Sequence, residues 1–259
     1  MNIVVCVKQV PDTAADRKLR AGDGTLDRGA VDGLINELDE YAIEEGLRIA
    51  EAHGGEVTVL SMGPERAAES IRKALSMGAD KAVHLVDGAL AGTDALGTSY
   101  ALAQVLGSIG FDVVVVGAES TDARMGAMPA MLAERLGVPQ LSLASKVEID
   151  GTTVTIHRQA DDGYQVVEGR LPAVVGVVEK INEPRYPSFK GIMAAKKKPV
   201  TTLSLADAGI DPARVGLGNA ATVVVDFAER PPRQAGTIVK DEGDGGAKAA
   251  GFLATQKFI

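Results

Sequence analysis

Residues 111–117 read Phe-Asp-Val-Val-Val-Val-Gly and form the clearest strand in the sequence. Four consecutive valines without polar alternation are typical of a strand that is covered on both faces, as in a parallel sheet. The next eleven residues, 118–128, read Ala-Glu-Ser-Thr-Asp-Ala-Arg-Met-Gly-Ala-Met. They lead into a predicted helix over 128–136, for which Gly137 is the stop signal.

The same alternation of strand and helix recurs on both sides of this unit. Further strands are predicted over 1–8, 56–61, 81–86 and 172–178, and further helices over 40–53, 65–76 and, with Thr93 as the N-cap, up to Ile109. Repeated strand–helix–strand units indicate a parallel sheet with right-handed crossovers. Residues 144–171 instead alternate between polar and apolar around turn signals, which predicts an antiparallel extension. The predicted fold is α/β, a doubly wound and mainly parallel sheet with this extension.

The chain divides by composition into a predicted α/β domain over 1–225 and an arm over 226–259. The arm is rich in Pro, Gly and charged residues and carries one weak helical stretch, so we expect it to dock on another surface.

The net charge of −8 at pH 7 argues against nucleic-acid binding. Cys6 is the only cysteine, which excludes an intramolecular disulfide. The sequence lacks an apolar run long enough to span a bilayer and a secretory signal, so we expect no membrane insertion and a cytoplasmic location.

Two segments are candidates for function. The loop over 117–128 offers free backbone amides, the hydroxyls of Ser120 and Thr121, the cation of Arg124 and a helix N-terminus, which together favour a phosphate. The alternative is that these residues only cap the helix, and neither a Gly-x-Gly-x-x-Gly nor a P-loop pattern is present.

The three histidines are scattered and no nucleophile is paired with a base, so we expect no catalytic residues.

The second candidate is a basic segment over 182–199. Its apolar side chains are bracketed by Arg185, Lys190 and a run of three lysines. An apolar anchor with a basic surround is the anatomy of a docking loop, whereas the alternative is a solvated surface helix.

Several stretches carry a resemblance to the β subunit of electron transfer flavoprotein, in chain order and over nearly the whole sequence. They are Val7-Lys-Gln-Val-Pro-Asp12, Ser61-Met-Gly-Pro64, Ala133-Glu-Arg-Leu-Gly-Val-Pro139, Leu171-Pro-Ala-Val-Val175, Asn182-Glu-Pro-Arg-Tyr186 and Arg230-Pro-Pro-Arg233. The resemblance implies an adenine-nucleotide α-hydrolase-like fold and a heterodimer with an α subunit, on which the arm docks. The α subunit carries the redox-active FAD, takes electrons from acyl-CoA dehydrogenases and similar flavin dehydrogenases, and passes them to a quinone oxidoreductase.

The resemblance also implies that this subunit holds a structural AMP and has no chemistry of its own. The AMP-contacting positions of the family fall on Cys6, Asn36, Glu37, Leu38, Asp39, Met62, Gly117, Ala118, Glu119, Ser120, Thr121, Asp122, Ala123, Arg124, Met125, Gly126, Ala127 and Met128. The partner-binding positions of the recognition loop fall on Arg185, Tyr186, Phe189, Ile192, Met193, Lys196 and Lys197.

The sequence departs from its relatives late in the nucleotide loop. Many relatives have Thr-Gly-Gln where this chain has Met128-Pro-Ala130, so backbone amides and Arg124 would have to hold the phosphate. Three alternatives remain open: a bifurcating-type subunit with its own FAD, a homodimeric universal-stress-like nucleotide-binding module, and, lower in rank, an ATP-dependent transferase.

Overall fold

A nine-stranded, mainly parallel sheet is the frame of the protein. The computed structural model describes residues 1–232, 235–236 and 238–259, so Arg233 of the Arg-Pro-Pro-Arg stretch lies outside the described residues. The elements are β1 Asn2–Cys6, β2 Gln9–Pro11, β3 Gly33–Ile35, α1 Glu37–His53, β4 Glu56–Met62, α2 Ala68–Met77, β5 Lys81–Leu85, α3 Ala95–Ile109, β6 Val113–Gly117, α4 Met128–Leu136, β7 Gln140–Asp150, β8 Thr153–Ala160, β9 Gly163–Arg170, β10 Ala173–Val177, α5 Phe189–Ala195, β11 Val200–Leu203 and α6 Gly245–Thr255.

The strand order is β11-β5-β4-β1-β6-β10-β7-β8-β9. All neighbours from β11 to β7 are parallel, while β8 and β9 continue the sheet in antiparallel fashion. Strands β2 and β3 form a separate antiparallel pair. The α/β, mainly parallel fold predicted from the sequence is therefore confirmed.

Helices cover both faces of the sheet, and successive side chains of β1 pack on opposite faces. Ile3 and Val5 belong to the apolar cluster that contains Ile43 of α1. Val4, which points to the other face, belongs to the cluster that contains Leu106 of α3. Burial on both faces explains why the strands read as unbroken apolar runs.

One local prediction is wrong, and two further features, the start of β7 and strand β11, were not predicted. The N-cap of α3 is Asp94, whose carboxylate accepts from the Gly97 amide at 2.9 Å, and not Thr93. The Thr93 hydroxyl is engaged elsewhere, because it donates to Leu90 O and accepts from the Gly216 amide. Strand β7 begins at Gln140, since its first residues pair in parallel with β10 before the antiparallel extension begins. Strand β11 was not predicted.

The described residues separate into two compact units, Met1–Val225 and Asp226–Ile259. The second unit contains α6 and leaves the side chains of Phe252, Phe258 and Ile259 exposed. Among the described residues, every helix is too short or too polar to cross a membrane.

Candidate functional site

The residues predicted to hold a nucleotide lie at the carboxyl edge of three adjacent strands. Cys6 ends β1, Met62 ends the neighbouring β4, and Gly117 ends β6 on the other side. Asn36 precedes α1 and Met128 opens α4 at the same edge. Ligands of open α/β sheets bind at this edge. The side chains of Cys6, Met62 and Met128 are partly buried against the α3 and α4 cluster.

Asn36 joins the start of α1 to the loop after β6. Its side-chain amide donates to Asp39 Oδ1 and to Glu119 O, both at 3.0 Å, and its Oδ1 accepts from the Thr121 amide at 3.0 Å. Asp39 Oδ2 accepts from the Lys8 amide at 2.8 Å. Burial raises the pKa of Asp39 to about 7, although these hydrogen bonds oppose the shift. The ends of β1 and β6 and the first turn of α1 are thereby held together.

Gly117 is required by this close approach. A Cβ atom on it would lie 2.5 Å from Asp39 Oδ1 and 2.9 Å from the backbone carbon of Leu38. Neighbouring Ala118 is also buried, whereas Glu37 at the start of α1 is exposed.

Asp122 forms the charged centre of the loop. Its side chain is 1 % exposed, and its carboxylate lies 2.8 Å from Lys8 Nζ and 2.5 Å from Arg28 Nη2. Lys8 Nζ also donates to Ser120 Oγ at 3.1 Å. Burial alone would raise the pKa of Asp122, but the charge and hydrogen bond of Lys8, with help from Arg28, lower it to about 2. Two cations thus share the Asp122 carboxylate, and the Asp39 carboxyl also lies near Lys8.

The polar segment 12–32 is attached to the same loop through arginines. Arg17 Nη1 donates to Thr121 O at 2.6 Å and Arg28 pairs with Asp122, while Arg66, which follows β4, donates to Arg28 O. Sequence reasoning missed Lys8, Arg17 and Arg28 as members of the site. The available signal was that Lys8 directly follows a strand and that the long polar segment is rich in arginine.

The remainder of the loop is open and fits an anion. Residues 123–126 are exposed, and the amides of residues 125–128 donate to no backbone carbonyl within the described part of the chain. These amides lead into the N-terminus of α4, where the helix dipole favours negative charge. Within the described residues, the buried Thr121 Oγ1 lacks a hydrogen-bond partner. Burial raises the pKa of the Cys6 thiol to about 12, so Cys6 is suited to packing and not to chemistry.

The basic segment 182–199 forms an exposed apolar surface. Helix α5 is capped by Ser188 and packs on α2 through Ala195 and Gly191, where a Cβ atom would lie 2.4 Å from Ser76 O. The opposite face of the segment is open to solvent. It presents Tyr186 (95 % exposed), Phe189 (80 %), Ile192 and Met193. We call these four side chains the outer face.

The cations around the outer face differ in their exposure and in their hydrogen-bond partners. Lys196 and Lys197 are exposed, whereas Lys198 Nζ donates to three carbonyls at the end of α2. Arg185 is bound to two carboxylates of α1, those of Glu44 and Glu51. The structure therefore exposes the apolar partner-binding candidates and two lysines, but it places Arg185 in an intramolecular contact.

Comparison with known proteins identifies relatives over the whole chain. The family model described as "Electron transfer flavoprotein domain" matches residues 23–208. Electron transfer flavoprotein subunit beta of Mycobacterium tuberculosis (strain H37Rv) is 53 % identical over 264 residues, covering 100 % of this chain and 99 % of that protein. The subunit beta of Mycobacterium leprae is 52 % identical with the same coverage. That of Clostridium acetobutylicum is 39 % identical over 239 residues, covering 92 % of each chain.

Proposed function

The chain belongs to the electron transfer flavoprotein family as a relative of its β subunits, and from this premise we propose that it is the β subunit of a heterodimeric electron carrier. Electrons pass from acyl-CoA dehydrogenases and similar flavin dehydrogenases to an FAD carried mainly by an α subunit. They leave towards a quinone oxidoreductase. This chain supports the FAD-carrying α subunit and recognises the dehydrogenase. Its arm over 226–259 docks on the α subunit.

The observation that carries this proposal is the outer face. Four apolar side chains are exposed on a short capped helix and the residues before it, with Lys190, Lys196 and Lys197 around them. Exposed apolar groups in a polar rim are typical of the centre of a protein interface. A dehydrogenase with an apolar pocket and acidic rim complements this surface.

Replacing Phe189 with alanine tests the docking role. The heterodimer is titrated into an acyl-CoA dehydrogenase assay, and the rate of its reduction is fitted for KM and limiting rate. A central interface aromatic contributes about 2 kcal/mol, so we expect KM to rise roughly 30-fold with the limiting rate unchanged. Leu96→Ala is the control, because Leu96 is an exposed apolar residue of α3 on the opposite face of the sheet. An unchanged KM in Phe189→Ala contradicts the docking role.

For the nucleotide, we propose that the strand-end loop holds AMP as a structural ligand. The free amides of residues 125–128, the Thr121 hydroxyl and the cations Lys8 and Arg28 beside the loop support an anionic ligand there. These groups stand in for the Thr-Gly-Gln side chains of the relatives. A ligand that binds only the folded chain stabilises it by mass action and needs no turnover.

The nucleotide content distinguishes the competing assignments. The purified heterodimer is denatured and the released FAD and AMP are quantified. One FAD and one AMP per heterodimer supports the proposal. Two FAD supports the bifurcating type, and a flavin-free homodimer would overturn both. Thr121→Val should reduce the AMP content while the FAD content stays at the parent value.

A further inference from the structure

The segment that carries the outer face is fixed to the domain at three places. At its start, Asn182 Nδ2 donates to Tyr41 O and to Glu45 Oε2, both at 3.1 Å. In its middle, Gly191 allows α5 to approach α2. At its end, Lys198 donates to carbonyls of the turn that follows α2, of which Ala79 O is the nearest at 2.6 Å. Side chains on a fixed segment lose little freedom on binding.

Arg185 makes a fourth attachment, which is the most extensive. Its Nε and Nη2 donate to the two carboxylate oxygens of Glu44, at 2.6 and 2.9 Å. Its Nη1 and Nη2 donate to Glu51, at 2.6 and 3.2 Å. The Arg185 backbone amide also donates to Glu44, at 3.2 Å. Glu44 is buried, so losing the paired guanidinium would leave a buried polar group without its partner, and a bidentate guanidinium adds directional specificity to the contact.

We propose that Arg185 is a positioning residue: by holding the backbone onto α1, it sets the direction in which the adjacent Tyr186 and the nearby Phe189 leave the surface. Its guanidinium is committed to α1 and makes no contact with the docking partner. The proposal rests on the docking function of the outer face and assigns Arg185 a role that differs from direct partner binding.

Hydrogen exchange of the intact heterodimer tests the attachment without any docking partner. In Arg185→Gln we expect the amides of residues 186–195 to exchange about tenfold faster, with the amides of β6 unchanged as the internal reference. Arg170→Gln is the matched control, because Arg170 is an exposed arginine of β9, which lies at the opposite end of the strand order from β11, the strand that follows the segment. Parent-like exchange in Arg185→Gln overturns the proposal.

A variant that retains the buried pair guards against misfolding. Glu51→Gln removes only the exposed half of the attachment, so Glu44 keeps its partner and the chain should fold normally. In Glu51→Gln we expect the same amides to exchange faster than in the parent, but by less than in Arg185→Gln. The double variant Glu44→Gln/Arg185→Gln removes both charges of the buried pair. If this double variant folds and both it and Glu51→Gln exchange at the parent rate, the proposal is also overturned.

Docking kinetics separate positioning from direct contact. Arg185→Gln should raise the KM for the dehydrogenase about tenfold at an unchanged limiting rate. When it is combined with Phe189→Ala, the second change should add little, because Arg185 acts through the placement of Phe189. Full additivity would show direct contact and overturn the proposal. If Phe189→Ala alone leaves KM unchanged, the docking function fails, while the exchange result still decides whether Arg185 fixes the segment.

Discussion

Replacement of Asp122 by asparagine removes the carboxylate between Lys8 and Arg28 while keeping the side-chain volume. A pKa lowered from 3.8 to about 2 corresponds to roughly 2 kcal/mol of folded-state stabilisation at neutral pH. Solvent screens part of this, because the Lys8 and Arg28 side chains are 39 % and 37 % exposed. The variant also leaves two neighbouring cations without their shared anion. We therefore expect a loss of about 1–2 kcal/mol at pH 7.

The pH dependence identifies the cause of this loss. Because the pKa of Asp122 is lower in the folded state than in the unfolded state, its contribution is complete above about pH 4 and is lost as the pH falls through 2. The difference between parent and Asp122→Asn should thus be largest at pH 5–7 and fall to about half at pH 3.

Urea unfolding at one fixed protein concentration measures the effect, since partner binding shifts the midpoint. Asp16→Asn is the control, because Asp16 is an exposed acid in the segment that carries Arg28. A difference below about 0.5 kcal/mol at pH 7 would refute the assigned role of the ion pairs. So would a difference that is the same at pH 3 and pH 7.

Two further substitutions test the packing around the site and the docking segment. Gly117→Ala places a Cβ atom 2.5 Å from Asp39 Oδ1, so urea unfolding should show the free energy of unfolding lowered by about 1–3 kcal/mol. Gly107→Ala is the control, because Gly107 is an open position in α3, and it should be neutral or stabilising. Lys198→Met removes the ammonium group that donates to three carbonyls at the end of α2. The thermal midpoint should fall by an amount equivalent to about 1–2 kcal/mol. Lys197→Met should leave the midpoint unchanged, because Lys197 is exposed.

Much of the fold could be predicted because local patterns determine it. The valine run of β6, the polar–apolar alternation after residue 144 and the stop at Gly137 each indicate an element without reference to the remainder of the chain. The errors arose where two signals compete locally. Thr93 and Asp94 are both good N-caps, and only the tertiary contact of Thr93 with Gly216 decides between them. Strand β11 has four residues after a proline and depends on pairing with β5.

Local pattern predicted the candidate site only where it is one continuous loop, whereas Cys6, Asn36 to Asp39 and Met62 were predicted from the family resemblance. Residues 117–128 combine amides and hydroxyls at a strand end, and that arrangement is visible in the sequence. The charge pairs are not, because Arg28 and Asp122 are 94 residues apart and Arg185 and Glu44 are 141 residues apart. Neither pair has a characteristic spacing, so a reader of the sequence sees isolated charges that look like solvated surface groups.

Helix α1 supports both the strand-end loop and the outer face. At its first turn, Asp39 binds the Lys8 amide, and Asn36 just before it binds the loop at Glu119 and Thr121. Further along the same helix, Glu44 and Glu51 bind Arg185. At 1.5 Å per residue, Asp39 and Glu44 are separated by only about 8 Å of helix, so the strand-end loop and the docking segment are both attached to one short stretch of α1.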